Sequence, residues 1–270
     1  MKISFYSTAW NLLKYHFDFK GALDNWSLYA DEIVVGLGPS EDDTVVALET
    51  YGRLRGYNLK LVPTTFSPDD PFMYGKILNA ALQACTGDIL IEQDIDERWW
   101  GNKETLVYIG ERLLAHPQAK AVFVPTVDLY GDKYHAVRAS RKWYIHKRGL
   151  FRGAVSFGIK PDGRPDYNKT STDELLDRDG NLVPTLSLLP DPITLESLKP
   201  YVAQGLPLSF HLGYINLHDR AERAVWWKAF WERATGDPNN HITDVNELLK
   251  RETKEHGLPL WLANNGERAT

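Results

Sequence analysis

Short apolar runs separated by helical patterns, repeated along the chain up to Ile91, constrain the fold more than any other feature. Lys2 to Ser7 is a β-type run, Asn11 to Tyr29 carries a helical pattern, and Glu32-Ile33-Val34-Val35-Gly36 supplies a second strand. The loop Gly38 to Thr44 leads into a helix ending near Arg55, and Asn58 to Val62 reads as a third strand. A further helix from Phe72 to Cys85 passes through Thr86-Gly87-Asp88 into the strand Ile89-Leu90-Ile91. Parallel neighbours need long crossovers, and a helix is the usual one. The expectation is an α/β fold with a mostly parallel sheet, helices on both faces, and ligands bound beyond the carboxyl ends of the strands.

The remainder is less regular. A helix from Lys103 to Ala115 precedes strand-like segments at Ala119 to Leu129 and Lys142 to His146. Pro161 to Pro207 is rich in Pro, Gly and Asp and reads as loop, suited to a lid or a binding region. Leu208 to Leu212 restores a strand, and Asp219 to Ala234 a helix whose Ala224, Trp227, Phe230 and Trp231 recur at helical spacing as packing residues. From Pro259 the chain reads as a loose tail.

Composition narrows the function classes. The 270 residues are 43% hydrophobic, enough for one large globular domain, and a net charge of -5 excludes a polycation that coats nucleic acid or membrane. Cys85 is the single cysteine, which excludes an internal disulfide framework and a Cys-rich zinc site and suits a reducing compartment, the cytoplasm by default. The opening MKISFYSTAW reads as a first strand, not a signal peptide, and no apolar run approaches the roughly 18 to 20 residues of a spanning helix.

The stretch Gly87 to Arg98, GDILIEQDIDER, sets an apolar strand against a cluster of acids. On an extended segment Asp94 and Asp96 would point to one side, because strand side chains alternate. Two hard oxygen ligands so placed suit Mg²⁺ or Mn²⁺, which keep positions open for substrate phosphates. The competing reading is that these acids cap the next turn and face solvent. By the same alternation Glu92 shares their side further back and would pair with a nearby cation, while Glu97 would point away or meet an acceptor loop.

The order of Ala30-Asp31-Glu32-Ile33-Val34-Val35, the Ser40 to Thr44 loop, Lys76-Ile77-Leu78-Asn79-Ala80-Ala81-Leu82, and Gly87 to Ile91 running into Asp94-Ile95-Asp96-Glu97 resembles the nucleotide-sugar glycosyltransferases of the GT-A fold, especially their family-2-like group. The resemblance implies that Asp94 and Asp96 hold Mn²⁺ or Mg²⁺ against the diphosphate of a nucleoside-diphosphate sugar. Pro207 to Tyr214 looks like the late strand whose histidine completes the metal site, which gives His211 that role, with His218 as a second choice. Thr8 and Ala9 sit where backbone contacts to the base are expected. Lys76 and Asn79 fall in the matched helix, and Asp42 or Asp43 joins the donor site or caps the helix that follows. The family usually has Asn-Glu after the first strand and an acid at the end of the second; here Trp10-Asn11 and Gly36-Leu37 stand there. A UDP-sugar is thus a first guess at the donor, not an implication.

Enzymes of this group invert the anomeric centre and need a carboxylate base on the acceptor side. Thr172-Asp173-Glu174-Leu175 resembles the family's Thr-acid-acid motif, which makes Asp173 or Glu174 the candidate, with Asp166 a further option and helix capping the competing role. Arg138 to Arg152, including Arg141, interleaves cations with aromatics inside an acidic protein. It could clamp the donor diphosphate or bind an anionic acceptor such as a glycan, a lipid-linked saccharide or a modified nucleic acid; it could also be one solvated strand face. On this reading residues 1–130 form a nucleotide-sugar half, 131–258 an acceptor-side half of the same domain, and 259–270 a tail. An aspartate phosphatase would place its Asp-x-Asp on the first strand, and a nucleotidylyltransferase would want a Gly-rich loop with a cation where Ser7 to Lys14 stands. A binding protein that kept the fold and lost the chemistry is the rival from another class.

Overall fold

The structure is a computed structural model that describes residues 1–65, 73–130, 135–152, 158–159, 165–166, 175–187, 189, 192–214 and 258–259, with some side chains within these left out. Strand β1 (Ile3–Ala9), helix α1 (Phe19–Trp26), β2 (Glu32–Leu37), α2 (Thr44–Arg55), β3 (Leu59–Pro63), α3 (Met73–Ala84) and β4 (Ile89–Glu92) follow in order. Then come β5 (Glu97–Trp100), α4 (Lys103–Ala115), β6 (Ala121–Tyr130) and β7 (His135–Lys147). The short strands β8 (Phe151–Arg152), β9 (Gly158–Ile159), β10 (Pro165–Asp166), β11 (Leu175–Leu176) and β12 (Thr185–Ser187) precede α5 (Lys199–Ala203), β13 (Leu208–Tyr214) and β14 (Leu258–Pro259).

The main sheet runs β3-β2-β1-β4-β7-β6-β13-β5, with β12 also on β6 and β14 on β7. The first four strands are parallel, as expected. Beyond them the sheet is mixed: β7 is antiparallel to both β4 and β6 and β5 is antiparallel to β13, while β13 and β12 run parallel to β6. Hairpin-like returns need no helical crossover, so the helix count falls and the fold is mixed α/β. Helices do cover both faces. Ile3, Phe5, Ile33, Val35, Ile89 and Ile91 pack with Ala22 and Trp26 of α1, Leu48 of α2 and Leu106 of α4. The alternate residues Tyr6, Val34 and Leu90 pack with Leu78, Ala81 and Leu82 of α3. A third cluster joins Val127, Leu198, Tyr201, Val202 and Phe210. It gives the expected loop region Pro161 to Pro207 a buried anchor at α5.

β5 was not legible in the sequence, and it decides the shape. It ends the sheet order, yet Trp99 on it is fully buried with its ring edge-on to Phe5 of β1 at 5.7 Å. Strand twist has therefore curled the sheet until its last strand returns toward β1. The expected helix from Asn11 is shorter because the chain turns first, with Asn11 (φ 50°) and His16 (φ 52°) in the left-handed region. Leu258 and Pro259 pair with β7, at the position from which a tail was expected. The predicted helix Asp219 to Ala234, together with His218 and residues 260–270, lies outside the described residues. Among those described, no helix is long and apolar enough to cross a membrane.

Candidate active site at the carboxyl ends of the strands

β4 ends in Glu92, and the chain turns before β5 begins. Glu97 donates its backbone N–H to Asp94 O at 2.9 Å, and Asp94 donates its own to Glu97 Oε2 at 3.1 Å. Asp94-Ile95-Asp96 is thus a tight turn and not an extended segment, so strand alternation does not orient its carboxylates. Ile95, buried, anchors the turn in the core. Glu97, expected to point away or meet an acceptor loop, is fully buried and folds back onto the turn. Glu92, also buried, accepts the Tyr6 hydroxyl at 2.9 Å, and the same hydroxyl lies 3.0 Å from His146 Nε2.

The two acids of the turn meet different side chains. Asp94 Oδ1 accepts the hydroxyl proton of Tyr74 at 2.9 Å. Asp96 Oδ2 stands 3.5 Å from His211 Nε2. β13 brings His211 there: it pairs with Glu97 on β5 and with Asp128 on β6, and Leu212 donates its N–H to Asp96 O at 2.9 Å. Gln93 adds a tie, its Oε1 accepting the Ser209 hydroxyl at 3.0 Å.

Asp128 is the residue that the sequence reading missed. Its Oδ1 lies 2.9 Å from His211 Nδ1, with the side chain only 5% exposed. A carboxylate oxygen only accepts, so Nδ1 carries the proton; when the ring is neutral, the Nε2 lone pair faces Asp96. Two electron-rich atoms then look at each other across 3.5 Å, an arrangement that asks for a cation between them. Two cis ligands of an octahedral ion with bonds of about 2.1 Å stand about 3.0 Å apart, close to that spacing. Asp128 behind the imidazole stands as an outer carboxylate does where it orients a metal-bound histidine. Among the described residues no three His, Cys, Asp or Glu side chains gather into a cage. Asp96 and His211 would offer a carboxylate and an imidazole, with the Asp94 carboxylate in the same turn, and such a set suits a hard cation that keeps positions for water and phosphate. The sequence signal for Asp128 was an acid inside the apolar run AVFVPTVDLY.

Gly213 completes the arrangement. A methyl on its Cα would stand 2.5 Å from His211 Nε2 and 3.1 Å from Asp96 Oδ2. The His-x-Gly spacing therefore has a steric cause: residues two apart on a strand share a face, and only glycine leaves room there for the imidazole.

The remaining candidates spread around this centre. Thr8 and Ala9 are buried at the end of β1, paired with Gly36 and Leu37, and Ala9 O accepts the Gly38 N–H at 2.8 Å. Asp42 accepts backbone N–H groups from Lys14 at 2.8 Å and Thr44 at 3.0 Å, so it ties the loop after β1 to the start of α2. Burial pulls its carboxyl upward, but hydrogen bonds from Thr44, Lys14 and Leu13 outweigh that and hold it below the ordinary value. Lys76 is exposed and Asn79 half-buried on α3. Arg141 lies in β7, paired in register with Pro125, and its side chain is not among those described. Asp173 and Glu174 lie outside the described residues, and of Asp166 only the backbone in β10 is described. An apolar groove of about 550 Å³ lined by Leu13, Phe17, Phe19, Val46, Tyr51 and Leu54 contains none of Asp94, Asp96, Asp128 and His211.

Two departures from the expected donor pattern have packing causes. Gly36 lies so close to α3 that a methyl there would stand 2.5 Å from Ile77 O, which leaves no room for an acid at the end of β2. Asn11 accepts the Glu41 N–H at 2.7 Å and donates its own N–H to Ser40 Oγ at 3.0 Å, stitching two loops together.

Comparison with known proteins finds likeness to solved structures at low sequence identity. No protein-family model and no curated protein sequence matches the chain. Residues 1–349 of Staphylococcus aureus TarS in complex with UDP-GlcNAc are similar at 17% identity and a TM-score of 0.37, over 95% of this chain and 72% of that one. The longer TarS chain is 43% covered. The mannosyltransferase PcManGT of Pyrobaculum calidifontis, in complex with GDP-Man and Mn²⁺, is similar at 19% identity and a TM-score of 0.44, over 94% of this chain and 70% of that one. Glucosyl-3-phosphoglycerate synthase of Mycobacterium tuberculosis, with Mn²⁺, UDP-glucose and phosphoglyceric acid, matches at 21% identity and a TM-score of 0.32 over 47% of this chain and 44% of that one.

Proposed function

We propose that this protein is a glycosyltransferase of the GT-A fold that moves a sugar from a nucleoside-diphosphate sugar to an acceptor, with a divalent cation and with inversion at the anomeric carbon. The observation that carries the reading is the Asp128–His211–Asp96 chain, set beside the Asp94 turn beyond the carboxyl end of β4. A parallel α/β region binds ligands at such an end.

In this reading Asp94, Asp96 and His211 hold Mn²⁺ or Mg²⁺, and Asp128 holds the Nδ1 proton so that Nε2 faces the ion. The bound ion supplies Lewis acidity toward the departing diphosphate. Thr8 and Ala9 line the base end of the donor site, and Lys76, Asn79 and Arg141 are its candidate polar partners. Asp173 or Glu174 takes the proton of the acceptor nucleophile, and residues 131–258 carry the acceptor side. The cations of Arg138 to Arg152 favour an anionic acceptor.

The test is release of nucleoside diphosphate from a panel of nucleotide sugars with Mn²⁺. Asp96→Ala is expected to abolish metal-dependent nucleotide binding, whereas Glu174→Ala keeps binding and loses transfer. No turnover of any donor, together with no metal-dependent nucleotide binding by the unsubstituted protein, would sink the proposal.

A further inference from the structure

Tyr74 has no place in the sequence reading, yet it touches two strand ends at once. It stands in the first turn of α3, donates its hydroxyl proton to Asp94 Oδ1 at 2.9 Å, and sets its ring edge-on to Trp10 with centroids 6.0 Å apart. Trp10 directly follows β1, and Asp94 lies in the turn after β4, the neighbour of β1 in the sheet. The seat of α3 leaves little freedom, because its backbone at Ile77 lies directly against Gly36 of β2.

A carboxylate rotates readily about its last side-chain torsion, so one hydrogen bond from a fixed donor selects its orientation. We infer that Tyr74 is a positioning residue for cation binding: its hydroxyl holds Asp94 Oδ1 and thereby directs Oδ2, while its ring, seated on Trp10, carries that constraint to the end of β1. The inference rests on the metal-dependent reading of the site. Outer partners of this kind typically change metal affinity 10- to 100-fold when removed.

Tyr74→Phe keeps the ring against Trp10 and deletes only the donor. Mn²⁺ affinity, measured by titration calorimetry with UDP or GDP present, is expected to fall 10- to 100-fold. The near-UV circular dichroism and the metal-free binding of the same nucleotide should stay as in the unsubstituted protein. In an Asp94→Ala background the same Tyr74→Phe change should have no further effect, because the acceptor of the bond is gone. The inference is overturned if Tyr74→Phe binds Mn²⁺ as tightly as the unsubstituted protein, or if it weakens binding by the same factor once Asp94 is absent. An unsubstituted protein that binds no Mn²⁺ with either nucleotide refutes the functional reading itself, and this inference with it; the two failures are thus told apart by one titration.

Discussion

Replacing Gly213 with alanine adds one methyl group where His211 and Asp96 meet, and the structure specifies what that methyl strikes. It would stand 2.5 Å from His211 Nε2, 2.9 Å from Cε1 and 3.1 Å from Asp96 Oδ2, so the ring has to move. The ring cannot move without stretching its 2.9 Å contact with Asp128, which is buried. Overpacking of this kind costs about 1–3 kcal/mol. Against it, alanine restricts the unfolded chain and returns about 0.4–1 kcal/mol. The net loss of stability is therefore at most about 2.6 kcal/mol, a lowering of the melting temperature by up to roughly 10 °C for a chain of this size. The loss of cation binding should be larger, since the displaced Nε2 is the proposed ligand. Thermal melts and a Mn²⁺ titration in the presence of UDP or GDP read the two effects separately. Combining Gly213→Ala with His211→Ala removes the clash, so the stability cost of the alanine should shrink in the double variant. A Gly213→Ala protein that melts and binds Mn²⁺ like the unsubstituted one, or a cost equally large without the ring, would refute the steric argument.

Other consequences can be checked independently. Asp128→Asn loses the charged acceptor behind His211 and should weaken Mn²⁺ binding 10- to 100-fold with little change in fold; an unchanged titration removes Asp128 from the site. Burial first, and the Glu32 carboxylate second, push the Cys85 thiol up to about 12. Iodoacetamide at pH 8 should therefore modify it only on unfolding, and rapid alkylation of the native protein contradicts its placement. Burial raises the Glu32 carboxyl, but hydrogen bonds from Ser4, Thr86 and Lys2 outweigh this and bring it from 4.5 to about 2. A depressed folded-state value gives stability that is present above pH 4.5 and lost as pH falls toward 2, on the order of 3 kcal/mol. Glu32→Gln should flatten that acid limb in urea melts, and an equally steep limb in the variant assigns it to other groups.

The first four strands and their helices were legible because their signals are local. The alternation Ile3, Phe5 against Ser4, Tyr6 reports a strand with two covered faces, and two clusters cover them. β5 escaped detection because it opens on the charged pair Glu97-Arg98, yet Arg98 is buried with Nη2 bonded to Asp18 Oδ2, and Trp99 packs on Phe5. A buried guanidinium in a strand is paid for by a distant partner that no local pattern reveals. The same holds for the antiparallel return of β7, which long-range pairing decides.

The sequence by itself determined that an acidic segment follows an apolar strand in an α/β half, and that a His-x-Gly lies on a late strand. Those features are written in residues near one another, through side-chain periods of 2 and 3.6. Only the tertiary structure decided that Asp94 turns to Tyr74, and that Asp96, His211 and Asp128 form one chain. Asp128 and His211 are 83 residues apart, and they meet because β6, β13 and β5 pair in one register. A slip of one residue would turn His211 to the opposite face, and the strand's own residues do not exclude it. The burial of Phe210 between the neighbouring side chains of the fold does, and that is a property of the assembled core.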